Sequence, residues 1–501
     1  MPPALAQSFG TAWRNPTPKG VYDLSIIGAG PAGLTAARAA AALGARVALI
    51  ERDRLGGGSL NVGSVPSKAI LRTARLYAEM GAAEHYGARS PGDVAIDFGA
   101  VMERMRTIRR RVSDSASADR LAAAGIDVFF GQARFTGRRS IEVGDLALRF
   151  DKALIATGSR SLTPEVPGLA EAGYLINETV FELTERPRRL LVMGGGPAGC
   201  ELAQAFCRLG SQVIIAQDDP TFLPKEERDA AQILSDALAR DGIEVHLNTT
   251  VAAVRTEGDQ KIIDLVSEDS RTQVGVDQIL VGIGRTPNVE AMGLETAGVR
   301  YDPVGGIQVD DFLRTSNRRI YAAGDVCLGQ QFAHTAEASA RIVVLNALGL
   351  RRERLSALTI PWCTYTDPEI AHVGLYVREA WSQSIPLHTY VVLMHDVDRA
   401  VIDGEDEGFV KIHVREGTDR VLGATIVARH AGEMIGEISL AIRLGLGMQD
   451  LAQVVHPYPT QAGAVKMAAT ACTRAHLPPA LRALRWLRSV RRTGPLSGSN
   501  L

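Results

Sequence analysis

The chain has 501 residues, 46% of them hydrophobic and 22% charged, with a formal net charge of −1. That length suits about three domains with ample core, and the near-neutral balance excludes bulk attraction to nucleic acid. The five cysteines, Cys200, Cys207, Cys327, Cys363 and Cys472, form no CxxC pair and are odd in number, so they read as free thiols of a reducing compartment, with no disulfide framework and no metal site.

In chain order, "MPPALAQSFGTAWRNPTPKG" lacks a basic segment followed by an apolar run. Residues 1–19 are expected to be a mobile arm rather than a signal peptide. No apolar run reaches the roughly 18 residues that span a bilayer, and a cytoplasmic location is expected.

"VYDLSIIGAGPAGLTAARAAAALGARVALIE" follows, from Val21 to Glu51, and "RRLLVMGGGPAGCELAQAFCRLGSQVIIAQ", from Arg188 to Gln217, repeats it. Gly28, Gly30 and Gly33 align with Gly194, Gly196 and Gly199 at a constant offset of 166 (194 − 28). Each copy reads as strand, GxGxxG turn, helix and strand. The first glycine allows the tight turn, the second lets a pyrophosphate reach the backbone, and the third lets helix pack on strand. The helix N-terminus then holds phosphate through its free N–H groups. Two copies in full β-turn-α-β context predict two dinucleotide sites.

The copies differ where a ribose is read. Glu51 ends the second strand of the first copy and suits ribose hydroxyls. Its equivalent is Gln217, followed by Asp218, with no arginine at either position to clamp a 2′-phosphate. The pair leans toward NADH over NADPH; the plainer alternative is that Gln217 is a solvated strand end. Two dinucleotides in one chain suggest a flavoprotein, with hydride passing between nicotinamide and isoalloxazine.

Between the copies lies "GGGSLNVGSVPSKAIL", residues 56–71, with Ser59 and Ser64 five apart in a glycine-rich approach to a helix. Further along come "ALIATGSR" (153–160), "VGIGRTPN" (281–288), "RIYAAGDV" (319–326), "YTDPEIAHVGL" (365–375) and "HPYPT" (456–460). With both glycine turns, this ordered set resembles the FAD-dependent pyridine nucleotide–disulfide oxidoreductases, a family that includes dihydrolipoamide dehydrogenase, glutathione reductase, mercuric reductase and soluble transhydrogenase. The resemblance covers about residues 20–475. It implies an α/β fold with two Rossmann-like domains and an α+β dimerisation domain. The FAD domain is expected over 20–155 and 285–350, the NAD(P) domain over 156–284, and the dimerisation domain over 356–475, giving a homodimer.

The resemblance also implies flavin contacts at Gly28, Gly30, Gly33, Glu51, Lys68, Thr157, Gly158 and Asp325. Nucleotide contacts are expected at Gly194, Gly196, Gly199 and Gln217, and a cofactor contact at Gly284. Lys68 and Glu201 have counterparts that meet beside the flavin N5, where a cation stabilises developing negative charge and a carboxylate fixes that cation. The alternative is an ordinary surface pair.

The sequence then departs from the family. Serines stand at 59 and 64 where the disulfide enzymes have cysteines, and a serine carries no electrons. Tyr458 and Gly463 stand where those enzymes have their proton-shuttling His and its Glu, and Tyr, with a pKa near 10, shuttles protons poorly at neutral pH. His456 either faces the same way as Tyr458 or is a structural histidine. Thiols and acid–base pair are absent together, which argues against disulfide reduction. Mercury reduction lacks the thiolates a soft metal needs.

Three functions follow. The first is an FAD-dependent NAD(P)H oxidoreductase with Lys68, Glu201 and Tyr458 at its centre, reducing a small-molecule acceptor such as a quinone. The second is a soluble transhydrogenase, and the third a non-catalytic FAD-binding dimer. Residues 476–501 lie beyond the resemblance. "PPALRALRWLRSVRR" puts Arg482, Arg485, Arg488 and Arg492 on one helical side and Ala483, Leu484, Trp486, Leu487 and Val490 on the other. Such a cationic amphipathic helix suits a peripheral contact with the inner face of an anionic membrane; the alternative is that its apolar side packs on the dimer.

Overall fold

The computed structural model describes residues 13–88 and 95–475. The predicted tail helix past residue 475 lies outside them. The chain divides into two units, Met1–Leu358 and Thr359–Leu501.

The first unit is built on two sheets with parallel cores. One draws on β1 (Val21–Ile27), β2 (Val47–Glu51), β3 (Ile126–Phe130), β4 (Ala133–Gly137), β5 (Ser140–Val143) and the long β6 (Leu146–Ile155). The order is β3-β2-β1-β6-β5-β4, and residues Ile320–Ala322 pair with β6 as a seventh strand. The end of β6 runs parallel to β1, while its start pairs antiparallel with β5. Apolar residues cover both faces of the parallel part, as its strand sequences require. Leu24, Ile26, Val47 and Leu49 pack with Ala36 and Ala40 of helix α1 (Pro31–Ala42). Ile27, Ala48 and Ile50 pack with Phe135 and Phe150.

Three further helices bear on the site: α2 (Gly57–Asn61), α3 (Ser64–Gly81) and α4 (Phe98–Ser113). Chain then leaves the first sheet through β7 (Ser159–Ser161) and enters the second, where β8 (Arg189–Met193) leads into helix α5 (Pro197–Arg208) and β9 (Gln212–Ala216). Residues Glu244–His246 and Gln278–Val281 complete this four-stranded parallel sheet on either side. A three-stranded antiparallel sheet spans residues 250–276. The return strand, β10 (Arg285–Pro287), pairs antiparallel with β7, so departure and return run side by side.

The second unit holds a five-stranded antiparallel sheet from Trp362–Thr364, Glu369–Gly374, Leu387–Leu393, Phe409–Arg415 and Val421–Ala428. Helices Ala431–Leu444 and Gly463–Ala475 bury Ile435, Ile438, Val465 and Ala468 in the same core as Val410, Ile412 and Ile426. No described helix is long and apolar enough to cross a membrane.

Residues 1–12 of the expected arm lie outside the described part; from Trp13 onward the segment contacts β3. The Asn15 side chain accepts from the Phe130 N–H and donates to the Phe130 carbonyl, both at 2.8 Å. Trp13 meets the Phe130 ring edge-on at 5.7 Å, and Lys19 reaches Asp127 at 3.0 Å. β3 is the edge of its sheet, and this strap occupies backbone groups that an edge leaves open. Asn15→Ala is expected to leave the Phe130 amide without its acceptor, costing about 1–3 kcal/mol; the measurement is the urea midpoint at fixed FAD concentration, and an unchanged midpoint would refute the pinning.

Candidate active site

Both glycine turns form as the repeat predicts. Gly28 and Gly194 have φ of +101° and +100°, the left-handed region that glycine enters without strain. A Cβ on Gly33 would sit 1.8 Å from the Gly28 carbonyl oxygen, and one on Gly199 would sit 2.1 Å from that of Gly194. Backbone contact at the third glycine is therefore what seats each helix on its strand. The middle glycines differ: nothing lies within 3.8 Å of a Cβ on Gly30, and nothing within 4 Å on Gly196. They also cap α1 and α5 without a side-chain hydrogen bond. Space beside each middle glycine and a helix start without a side-chain cap leave room for a pyrophosphate, so both turns fit a dinucleotide.

Glu51 and Gln217 take matching places. One Glu51 oxygen accepts from the Ala29 N–H at 2.7 Å and the other from Asp53 at 2.9 Å. Gln217 Oε1 accepts from the Gly195 N–H at 2.6 Å. Each strand-end side chain thus fastens its own glycine turn, a role the sequence reading did not assign. Carboxylate and amide oxygens keep a second lone pair for a ribose hydroxyl. Burial pushes the Glu51 carboxyl above the ordinary range, against the pull of the Ala29 and Asp53 N–H groups. Beyond Gln217 come Asp218, which takes the Gln217 amide at 3.3 Å, and Asp219. Both carry the charge of the phosphate they would have to accept.

Lys68 and Glu201, 133 residues apart, form an ion pair at 2.6 Å. Lys68 lies just inside α3, after Gly63 and Pro66 start it, and Glu201 lies in the first turns of α5. The Glu201 side chain is only 6% exposed and that of Lys68 is 34% exposed. A carboxylate so buried needs its cation, so the pair joins the two dinucleotide folds and is no ordinary surface contact.

The serine segment rests on the first glycine turn. Gly57, at φ +60°, brings its backbone so close that a Cβ would meet Gly30 Cα at 2.6 Å. Ser59 is half-buried and Ser64 exposed, and neither hydroxyl has a described hydrogen-bond partner. Arg285, part of the GRTPN motif, lies over Gly58. Its guanidinium donates to the Ser159 hydroxyl at 2.8 Å and to the Ser159 carbonyl at 2.9 Å. Ser159 in turn donates to Asp325 at 2.6 Å. Arg285 and Ser159, which the sequence alone does not single out, both stand inside the quoted motifs. Thr157 turns its hydroxyl to the Asn288 carbonyl at 2.8 Å, and the Gly158 carbonyl accepts from the Asn288 N–H. The expected flavin contacts at 157 and 158 thus sit on the β7–β10 crossing, with the Thr157 hydroxyl already engaged. Gly284 is at φ +128° with nothing near its absent Cβ.

Tyr458 belongs to the second unit. It is 80% exposed and donates its phenol to Asp398 at 2.7 Å. That hydrogen bond pushes its pKa above the ordinary value of 10.0. His456 is nine-tenths buried and bonds Glu437 at 3.0 Å, which fits the structural alternative for that histidine. No group of three or more His, Cys, Asp or Glu suited to a metal ion occurs among the described residues.

Comparison with known proteins agrees with this geometry. Residues 22–340 match the family described as pyridine nucleotide-disulphide oxidoreductase, and residues 360–469 match its dimerisation domain. A mercuric reductase of Staphylococcus aureus is 34% identical over 452 residues, 90% of this chain and 82% of that protein. A dihydrolipoyl dehydrogenase of Thermus scotoductus is 34% identical over 460 residues, covering 90% and 97%. Among solved structures, the HOCl-induced flavoprotein disulfide reductase RclA from Escherichia coli superposes with a TM-score of 0.80 at 28% identity, covering 90% of this chain and 99% of that one.

Gly33→Ala would force its methyl into a backbone oxygen that cannot retreat. The purified variant is expected to lose bound FAD, read as absence of the flavin absorbance near 450 nm, and a yellow, fully loaded variant would refute the close-approach argument.

Proposed function

We propose a function from one premise: the chain belongs to the pyridine nucleotide-disulphide oxidoreductase family. Its members use FAD and NAD(P)H, and the dimerisation domain supports a homodimer. Our finer reading is an oxidoreductase that takes hydride from nicotinamide and delivers reducing equivalents from flavin directly to a non-disulfide acceptor. A quinone is the favoured chemistry.

The observation that carries this reading is the pairing of Lys68 with Glu201 beside a segment bearing Ser59 and Ser64. Bound FAD supplies the exchange of hydride with nicotinamide. Around it, Gly28, Gly30 and Gly33 would hold the pyrophosphate, Glu51 a ribose, and Asp325 the polyol between phosphate and ring. Lys68, its charge held in place by a buried carboxylate, would stabilise negative charge at the ring edge. Ser59 and Ser64 can offer hydrogen bonds there but no thiolate. Tyr458, its proton engaged by Asp398, is poorly suited to relay protons to a dithiol. These features support, for this chain, an activity other than the mercuric reduction and dihydrolipoyl dehydrogenation named for its relatives. The carboxylates at 218 and 219 favour NADH and weaken the transhydrogenase alternative. Exposed Leu440, Leu444 and Val455 of the second unit suit burial against a second copy. Membrane contact through the tail would favour a lipid-soluble acceptor.

Anaerobic titration with NADH is expected to reduce the protein by two electrons per FAD. Uptake of four, or a thiolate–flavin charge-transfer band on the way, would sink the reading, and a flavin that never bleaches would indicate the non-catalytic dimer. Lys68→Met should keep FAD and slow its reduction by NADH about 10²–10³-fold, the usual loss when one stabilising charge leaves a site. Stopped-flow absorbance decides, with unchanged rates counting against the role of Lys68.

A further inference from the structure

We infer that Arg109 and Asn177 are positioning residues: they hold the serine segment in shape by gripping its backbone carbonyls from outside. This deepens the proposed function and rests on its reading of the segment as a wall of the flavin site.

A disulfide between positions 59 and 64 would close this stretch covalently and remove much of its freedom. Two serines cannot. The stretch also contains Gly56, Gly57, Gly58 and Gly63, residues that add conformational freedom. Its shape must therefore come from non-covalent contacts. Asn61 supplies the inner ones, donating to the carbonyls of Leu55 at 3.0 Å and Gly57 at 2.9 Å. The carbonyls of Asn61 and Val62 lie at the end of α2, where helical carbonyls have no partner within the helix. Arg109 Nη1 donates to the first at 3.2 Å, and Asn177 Nδ2 donates to the second at 3.1 Å.

Both donors are themselves fixed. Arg109 is 16% exposed and bonds Glu182 at 2.8 Å. Asn177 accepts through Oδ1 from the Ser161 hydroxyl. One turn earlier on α4, Arg106 donates to the Leu183 carbonyl at 2.9 Å, while Arg104, on another face of the helix, donates to Ala69 and Thr73 of α3. Residues 161–183 are the connection from β7 toward β8. The grip thus ties the serine segment to the chain that enters the second dinucleotide fold, while Lys68–Glu201 ties α3 to α5. Each acts through the backbone of residues 61 and 62.

The test uses the FAD-loaded full chain and three variants. Asn177→Asp keeps an acceptor for Ser161 but has no N–H for Val62. Arg109→Ala removes its donor altogether, and Arg109→Lys keeps the charge toward Glu182. Wild type is scored first: a flavin that NADH does not bleach sinks the proposed function, independently of the grip. Amide hydrogen exchange over residues 55–66 then reads the grip itself. Losing one such hydrogen bond should speed exchange about 5–10-fold in Asn177→Asp and Arg109→Ala, with partial recovery in Arg109→Lys. With 1,4-benzoquinone as acceptor, KM for the quinone should rise several-fold, and the flavin's visible band should shift, while reduction by NADH changes less than threefold. Unchanged exchange in both Asn177→Asp and Arg109→Ala overturns the grip. Faster exchange with an unmoved flavin band and quinone KM overturns the positioning role.

Discussion

A hydrogen atom is the largest side chain that positions 33 and 199 admit. With the Gly28 and Gly194 carbonyl oxygens less than 2.2 Å from where a Cβ would stand, each helix lies directly on its strand. This backbone contact fixes the direction of α1 and α5 and leaves their first-turn N–H groups uncapped. An uncapped, unobstructed helix start is a phosphate site. It also sets where the serine segment runs, because Gly57 packs on Gly30, and where Glu201 emerges to meet Lys68. The second glycine turn repeats the first so closely that its strand-end side chain, though changed from Glu to Gln, makes the same bond to the turn.

That packing supplies a reason for a segment without thiols to keep its shape. Residues 56–63 are part of the wall on which the first glycine turn leans. Substituting the cysteines of a disulfide enzyme by serine removes the electrons' second resting place but leaves this contact untouched. Rebuilding the segment would disturb Gly30, and with it the phosphate site. Loss of redox chemistry at 59 and 64 is thus compatible with a retained dinucleotide turn. Stability and electron storage, joined in a disulfide, are here separable.

How much of this could be read in advance depends on the range of the interaction. The glycine turns were legible because spacing alone fixes a strand-turn-helix. The roles of Glu51 and Gln217 were half legible: their positions followed from the motif, their bonds to Ala29 and Gly195 did not, since no pattern says that a strand end will reach back to its own turn. Lys68–Glu201, separated by 133 residues, came from family resemblance and from nothing periodic. Arg109 was hidden in "MRTIRRRVS", where Arg106 and Arg109, three apart, turn inward while Arg110 pairs with Glu103 at the surface. Charge content gives no means of telling them apart. Trp13 and Asn15 were hidden by a proline-bearing, polar context that reads as loose chain.

On the proposed function, the residues standing where the family enzymes carry their proton shuttle bear on which acceptor the flavin can serve. Cleaving a disulfide leaves thiolates that need protons, and family enzymes meet that need with a histidine. Here the phenol of Tyr458 is held by a carboxylate that raises its pKa further, and the imidazole of His456 is buried on Glu437 with its other nitrogen lacking a described partner. One group holds its proton too tightly and the other has no open face. On the function proposed above, an acceptor would have to draw its protons from solvent. A quinone carries its oxygens at the ring edge, where Lys68 could stabilise the product oxyanion until water supplies the proton.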